Sequence, residues 1–359
     1  MEGATMNKGE LLEKLGIDRP IIQAPMGGGP TTPELIAAVS NAGGLGSLAA
    51  AYLKPSEIID AIQRIRLLTS KPFNVNLFAG GYQSDTNFDA QPMLDVLAEI
   101  HAELGLPAPI RPTVAPDPFP DQFEAVIEAR PPIFSFTFGI PREKSMERLR
   151  KHGITTLGTA TTVDEARLLA SARVDAIVAQ GSEAGAHRGT FTGSFDAAMV
   201  PTRQLVREIA ELLTIPVVAS GGIMDGREVA ETLALGASAA QLGTAFLCCP
   251  ESGASATYKQ AISAAKKDCT VITRAFSGRP ARGLMNTFIA KLKDKENVIL
   301  PYPQQNALTR AMRNAAAKRG NAQFLSLWAG TGVSRTRRLP ATELMMRLTH
   351  EIEETDFAK

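Results

Sequence analysis

The chain is short of the residues that staple or ligate. Among 359 residues there are three cysteines, Cys248, Cys249 and Cys269, and two of them are neighbours. That is too few for a disulfide framework, and none has the spacing of a zinc site, so a reduced cytoplasmic setting with no metal is expected. Charge of one sign is missing too: 38 Lys and Arg face 37 Asp and Glu, a net +1. Neither nucleic acid nor an anionic membrane is drawn by such a balance. No apolar run approaches the roughly 20 residues that span a bilayer. The opening MEGATMNKGELLEKLG lacks the apolar core of a signal peptide. There is no carboxylate pair at glycosidase-like spacing and no G-x-S-x-G elbow. A soluble enzyme is expected, long enough to bury a sizeable core.

What is present is a rhythm. Short apolar runs read as strands at Ile21–Met26, Leu45–Ala50, Phe73–Phe78, Ile133–Phe138, Thr155–Thr159, Ala176–Gln180, Val217–Ser220 and Ala240–Leu247. Amphipathic helical patterns stand between them, such as Pro33–Asn41, with Pro near its first turn and Gly43 past its end. Eight β/α alternations predict an α/β fold, a closed (β/α)8 TIM barrel over residues 15–250. After Pro250 the strand signal disappears. Residues 251–340 therefore predict a small helical subdomain over the barrel mouth. Residues 341–359 predict a helix returning to the barrel, with Leu344, Met345, Leu348 and Ile352 on one face. Residues 79–120 break the rhythm with a proline-dense excursion, read as a lid or rim or as a plain surface loop.

The chemistry gathers in Ala176–Gly189, AIVAQGSEAGAHRG. An apolar strand opens there into a Gly-rich loop around one imidazole, His187, at the expected mouth of the barrel. His101 and His350 sit in helical patterns and His152 at a helix C-terminus, so His187 is the candidate active-site histidine. Arg188 and Glu183 could tune it or be solvated. Two further turns, Ser220-Gly221-Gly222 and Gln241-Leu242-Gly243-Thr244, follow the seventh and eighth strands. A phosphate docks at that place in many such barrels, on backbone N–H groups with a hydroxyl such as that of Thr244 beside them. Gly44-x-Gly46-x-x-Ala49 follows a helix and leads into a strand, the wrong order for a dinucleotide fingerprint. One base and few other functional groups fit a site in which a cofactor supplies the hard chemistry.

The blocks PIIQAPMGGGPTTPELIAAVSNAGGLGSL, KPFNVNLF, AQGSEAGAHRG, PVVASGGI, AAQLGTAF, RAFSGRPARGLMN, PYPQQ and FLSLWAG resemble, in this order, the nitronate monooxygenase family, once called 2-nitropropane dioxygenases. The resemblance implies an FMN-bearing barrel that oxidises alkyl nitronates, such as propionate 3-nitronate, with O2 through a flavin semiquinone and without NAD(P)H or metal. It also implies FMN contacts from Ala24, Pro25, Met26, Gly27, Asn76, Gln180, Gly185, Gly221, Gly222, Gln241, Leu242, Gly243 and Thr244. His187 matches the family's active-site histidine, as a base or an orienting residue, and Tyr302 a tyrosine facing substrate. Partners are then a small nitronate or nitroalkane and O2; a homodimer is left open. Ala186 stands where the family carries Gly, and Thr331 where it often carries Gln. Two other readings remain: an NAD(P)H-dependent flavin reductase on the same barrel, of the enoyl-acyl-carrier-protein reductase or NADH:quinone reductase type, and a non-catalytic phosphate-binding barrel.

Overall fold

The structure is a computed structural model that describes residues 8–82, 88–113 and 116–357. Its strands are β1 (Ile21–Gln23), β2 (Gly46–Ala49), β3 (Phe73–Phe78), β4 (Ile133–Thr137), β5 (Thr155–Ala160), β6 (Ala176–Gln180), β7 (Ala186–His187), β8 (Val217–Ser220), β9 (Ala239–Leu242), β10 (Thr270–Thr273) and β11 (Ala281–Leu284). Eight of them run parallel in the order β1-β9-β8-β6-β5-β4-β3-β2. A parallel bridge between Ile22 and Leu45 joins the two ends, with the Gln23 N–H donating to the Leu45 carbonyl at 2.9 Å. The barrel expected from the eight repeats is closed, and closure leaves no free strand edge.

The period of two along each strand sorts the side chains. In β6, Ile177 and Ala179 pack outward among the surrounding helices, while Ala176 and Val178 pack inward. The lower interior is hydrocarbon: Ile22, Leu45, Ile133, Leu157 and Val218, sealed by Leu11 and Leu15 of the helix Lys8–Leu15. Higher in the barrel the side chains become polar. Asn74 and Asn76 both donate to Ser135 Oγ, at 2.8 and 2.9 Å, and Asn74 also reaches Ser47 Oγ at 3.2 Å. An apolar floor under a polar upper layer leaves the C-terminal mouth as the place for a ligand.

The last helix, Ala341–Phe357, packs against the helices of the barrel wall. Leu344, Met345 and Leu348 are fully buried there, against the helices Pro33–Asn41 and Gly226–Ala234. Each such side chain contributes roughly 1.5–3 kcal/mol. Gly226 allows the close crossing, because a Cβ at that position would lie 2.2 Å from the Leu348 carbonyl oxygen.

Two readings of the sequence need correction. The last barrel strand ends at Leu242 instead of Leu247, and Thr244–Phe246 is a single 3-10 turn. The chain after Pro250 also contains strands. β10 and β11 form an antiparallel hairpin, and β11 pairs with β7, setting Ala281 opposite His187 and Arg282 opposite Ala186. These strands are two to four residues long and include Arg282 and Gly283, so no apolar alternation announces them. Around this small sheet stand helices such as Ala256–Ser263, Thr287–Leu292 and Arg310–Lys318. They share a second core of Phe276, Phe288, Met312, Phe324 and Leu327 with Met93, Leu97 and Ile100 of the helix Gln91–Glu103. That part of the 79–120 excursion is thus a packed foundation of the cap; residues 83–87 and 114–115 of it lie outside the described residues. Among the described residues, no helix is long and apolar enough to cross a membrane.

Candidate active site

A cavity of about 370 Å³ opens at the barrel mouth, within the usual range for a small-molecule site. His187, Ala24, Pro25, Met26, Gly27, Asn76, Gln180, Gly185, Gly221, Gly222, Gln241, Gly243 and Thr244 all line it. Leu242 does not: it is 1% exposed and packs outward among the helices. Tyr302 borders a second cavity of about 410 Å³ instead, its ring centroid 6.3 Å from that of His187. Ala51, Tyr52 and Asn306 line both cavities.

The loop that carries His187 is fixed by buried charges. Arg188 is 1% exposed and donates to the carbonyls of Gln180 at 3.0 Å and Ala198 at 2.9 Å, and to that of Gly181. Burial lowers its pKa to about 10, so it remains charged at neutral pH. Glu165, fully buried, accepts from Thr161 N–H at 2.6 Å and from Phe191 and Thr192 N–H beyond the histidine. Glu183 accepts from the N–H and hydroxyl of Thr202, at 2.9 and 2.8 Å, at the start of the helix Thr202–Leu212. Arg188 and Glu183 therefore hold the loop; neither is a solvated charge. Gln180 completes the frame, donating to the His187 carbonyl at 3.0 Å and accepting from Gly189 N–H at 2.7 Å.

The imidazole of His187 stands among aromatic rings. The centroids of Phe138, Trp328 and Phe78 lie 5.8, 5.7 and 6.4 Å away. Tyr258 donates to the Trp328 carbonyl at 2.6 Å and steadies that wall. His187 Nε2 is 2.7 Å from Ser277 Oγ. Burial, then the positive guanidinium groups of Arg279 and Arg313, push its pKa down to about 3. It is a neutral ring at physiological pH.

The opposite end of the cavity is built from backbone. Gly221 and Gly222 follow β8 with φ of +128° and +74°, conformations that side chains rarely adopt. Among the described residues, the N–H groups of Gly222 and Gly243 donate to no acceptor in the chain. Thr244 Oγ1 accepts from Gly330 N–H at 3.0 Å, which leaves its own proton free to donate. Free N–H groups beside a hydroxyl make a concave anion site.

Some of the site was invisible to sequence reasoning. Ser277, Arg313 and Trp328 line the same cavity, and Arg279 lays its guanidinium 3.9 Å from the Phe138 ring centroid. The blocks RAFSGRPARG and FLSLWAG contain three of them, but no local spacing marks any as a site residue. His101, by contrast, donates to the Pro107 carbonyl at 2.7 Å, and His350 meets Glu354 on its own helix. Both are structural, as read.

The profile of the family described as "Nitronate monooxygenase" matches residues 8–351. The chain belongs to the nitronate monooxygenase family. It is an oxidoreductase. Proteins named "Probable nitronate monooxygenase" from Staphylococcus aureus (strain JH9) and Staphylococcus haemolyticus (strain JCSC1435) are each 42% identical to it. The matches cover 97% and 96% of this chain and 98% and 97% of theirs. A solved nitroalkane oxidase from Streptomyces ansochromogenes superposes with a TM-score of 0.89 at 41% identity, over 97% of this chain and 99% of that one. FabK from Thermotoga maritima superposes with a TM-score of 0.76 at 29% identity, over 97% of each chain.

Proposed function

We propose that this chain oxidises alkyl nitronates with O2, using FMN seated in the cavity at the barrel mouth. The observation that carries this reading is one cavity with two ends of different character. An anion cradle of free N–H groups lies at one end and a neutral imidazole with aromatic neighbours at the other, in a chain of this family. The fit to FMN rests on that cradle: Gly222, Gly243 and Thr244 suit a phosphate, and Asn76 and Gln180 offer amides to the polar edges of a flavin. Ala24 to Gly27 provide the wall at the end of β1. FMN bound there would supply the electron acceptor that O2 regenerates.

The chain's own residues then set substrate preference. A nitronate is an anion, and the cavity corner by His187 is positive through Arg279 and Arg313. An imidazole whose pKa is near 3 is a weak base toward a carbon acid. The preformed nitronate is therefore the preferred substrate, with His187 orienting it; removal of a nitroalkane α-proton is its slower, secondary role. The aromatic walls give the reacting carbon an apolar surrounding.

Oxygen uptake tests the reading. A primary nitronate should drive rapid O2 consumption and the corresponding nitroalkane a slower one. His187→Asn should lower the nitroalkane rate more if the base role operates, and both equally if orientation is the whole role. No uptake with any nitronate would refute the proposal. Flavin reduction by NADPH or NADH would favour the reductase reading instead.

A further inference from the structure

Ser277 lies in a turn that the sequence does not mark and the proposed reaction leaves unused. It is 1% exposed. The turn is closed by the Gly278 N–H donating to the Arg274 carbonyl at 2.8 Å and by Arg274 Nε donating back to Gly278 at 3.1 Å. The chain then enters β11, whose Ala281 pairs with His187. The Arg188 N–H donates to the Pro280 carbonyl at 2.9 Å. The turn that carries Ser277 is thus tied to the His187 strand where β11 begins to pair with it.

The Ser277 hydroxyl has one proton and two acceptors within reach. His187 Nε2 is 2.7 Å away and the Arg279 carbonyl 3.2 Å. The shorter contact has the length most common for an O–H donor and lies at the short limit of about 2.7–3.2 Å for an N–H donor. The Arg279 N–H, at 3.4 Å, supplies Ser277 Oγ with a donor of its own. With Nε2 accepting, the proton of a neutral ring must reside on Nδ1. Among the described residues, Nδ1 has no partner, and it is not sealed away from the cavity that His187 lines.

The geometry points to Ser277 as a positioning residue that holds His187 in its Nδ1–H tautomer and so presents an N–H donor, not a lone pair, to an anionic oxygen of the substrate. The tautomer stands on the hydrogen-bond geometry alone; that the anion is a nitronate rests on the proposed function. The device turns the histidine into an orienting donor and leaves proton abstraction to the minor tautomer, in keeping with a slow, secondary base role.

The test is long-range 1H–15N NMR of the 15N-histidine-labelled holoenzyme, with His187 identified by its loss in His187→Asn. The wild type should show a protonated Nδ1 and an unprotonated Nε2. Ser277→Ala should give averaged shifts and Ser277→Thr, which keeps the hydroxyl, the wild-type pattern. With a primary nitronate, Ser277→Ala should raise KM about tenfold and change kcat less, a typical value for a hydrogen bond to a charged partner, and Ser277→Thr should restore it. Nε2 protonated in the wild type, or shifts unmoved in Ser277→Ala, would overturn the inference. The locked tautomer in an enzyme that turns over no nitronate would support the lock and refute the proposed function.

Discussion

Acid should cost this fold stability through one imidazole. His187 has its pKa lowered from 6.5 to about 3, first by burial and then by Arg279 and Arg313. In the unfolded chain it titrates near 6.5. Between those values the unfolded state binds a proton that the folded state refuses, so unfolding free energy rises with pH across the window and falls as pH drops from 6.5 toward 3. Above 6.5 both states are neutral and the contribution is constant. The full gap corresponds to about 5 kcal/mol at 1.36 kcal/mol per unit. The ring faces a cavity that admits water, which screens the penalty, so about 2–4 kcal/mol is the working range. Urea unfolding of wild type and His187→Asn at pH 7, 5.5 and 4 measures it. The wild type should lose stability faster than the variant below pH 6.5, by roughly 1 kcal/mol per unit. Parallel pH dependences would show that the imidazole is not neutralised by its surroundings, and the assignment of a neutral ring would fall. The same shift predicts kcat/KM for a nitronate without an imidazole limb between pH 5 and 8.

Three further outcomes follow from named contacts. Arg188→Met keeps the volume but strips the donors from the Gln180, Gly181 and Ala198 carbonyls; denaturant unfolding should show a loss of about 3 kcal/mol or more. Gly222→Ala forces a side chain onto φ +74° and sets its Cβ 3.0 Å from that of Glu183. Purified protein should carry less flavin, read from the ratio of visible to ultraviolet absorbance, and lose about 1–3 kcal/mol of stability. Ala186 already sits at φ +62° without being glycine; Ala186→Gly relieves about 1–2 kcal/mol of strain against an entropic cost of about 0.4–1, so its melting temperature should rise slightly.

The barrel was legible because its strands are buried on both faces. Runs such as Ile177-Val178-Ala179 have no polar interruption, and helices such as Pro33–Asn41 carry caps that can be read locally. The Thr32 hydroxyl, for example, accepts from the Leu35 N–H at 3.1 Å. Where apolar character outlasts the strand, as at Ala245-Phe246-Leu247, pattern reading overshoots, because these side chains pack in a turn. The small sheet at the mouth was hidden for the opposite reason: Ala186–His187 is a strand only because β11 lies beside it. His187 itself could be found from its Gly-rich setting. Ser277 and Arg313 could not, since each reaches the cavity from far along the chain, and Arg279, which lies over the Phe138 ring, comes from equally far; no local spacing marks any of the three. The roles of Arg188 and Glu183 likewise appear only once the carbonyls and N–H groups around them are in place.

The most direct test of the account is anaerobic and spectroscopic. The purified protein should be yellow. A nitronate added without oxygen should bleach or otherwise reduce its visible absorbance within the mixing time, while NADPH and NADH leave it unchanged. A colourless protein that takes up no flavin, or a flavin reduced by NAD(P)H and indifferent to nitronate, would contradict it.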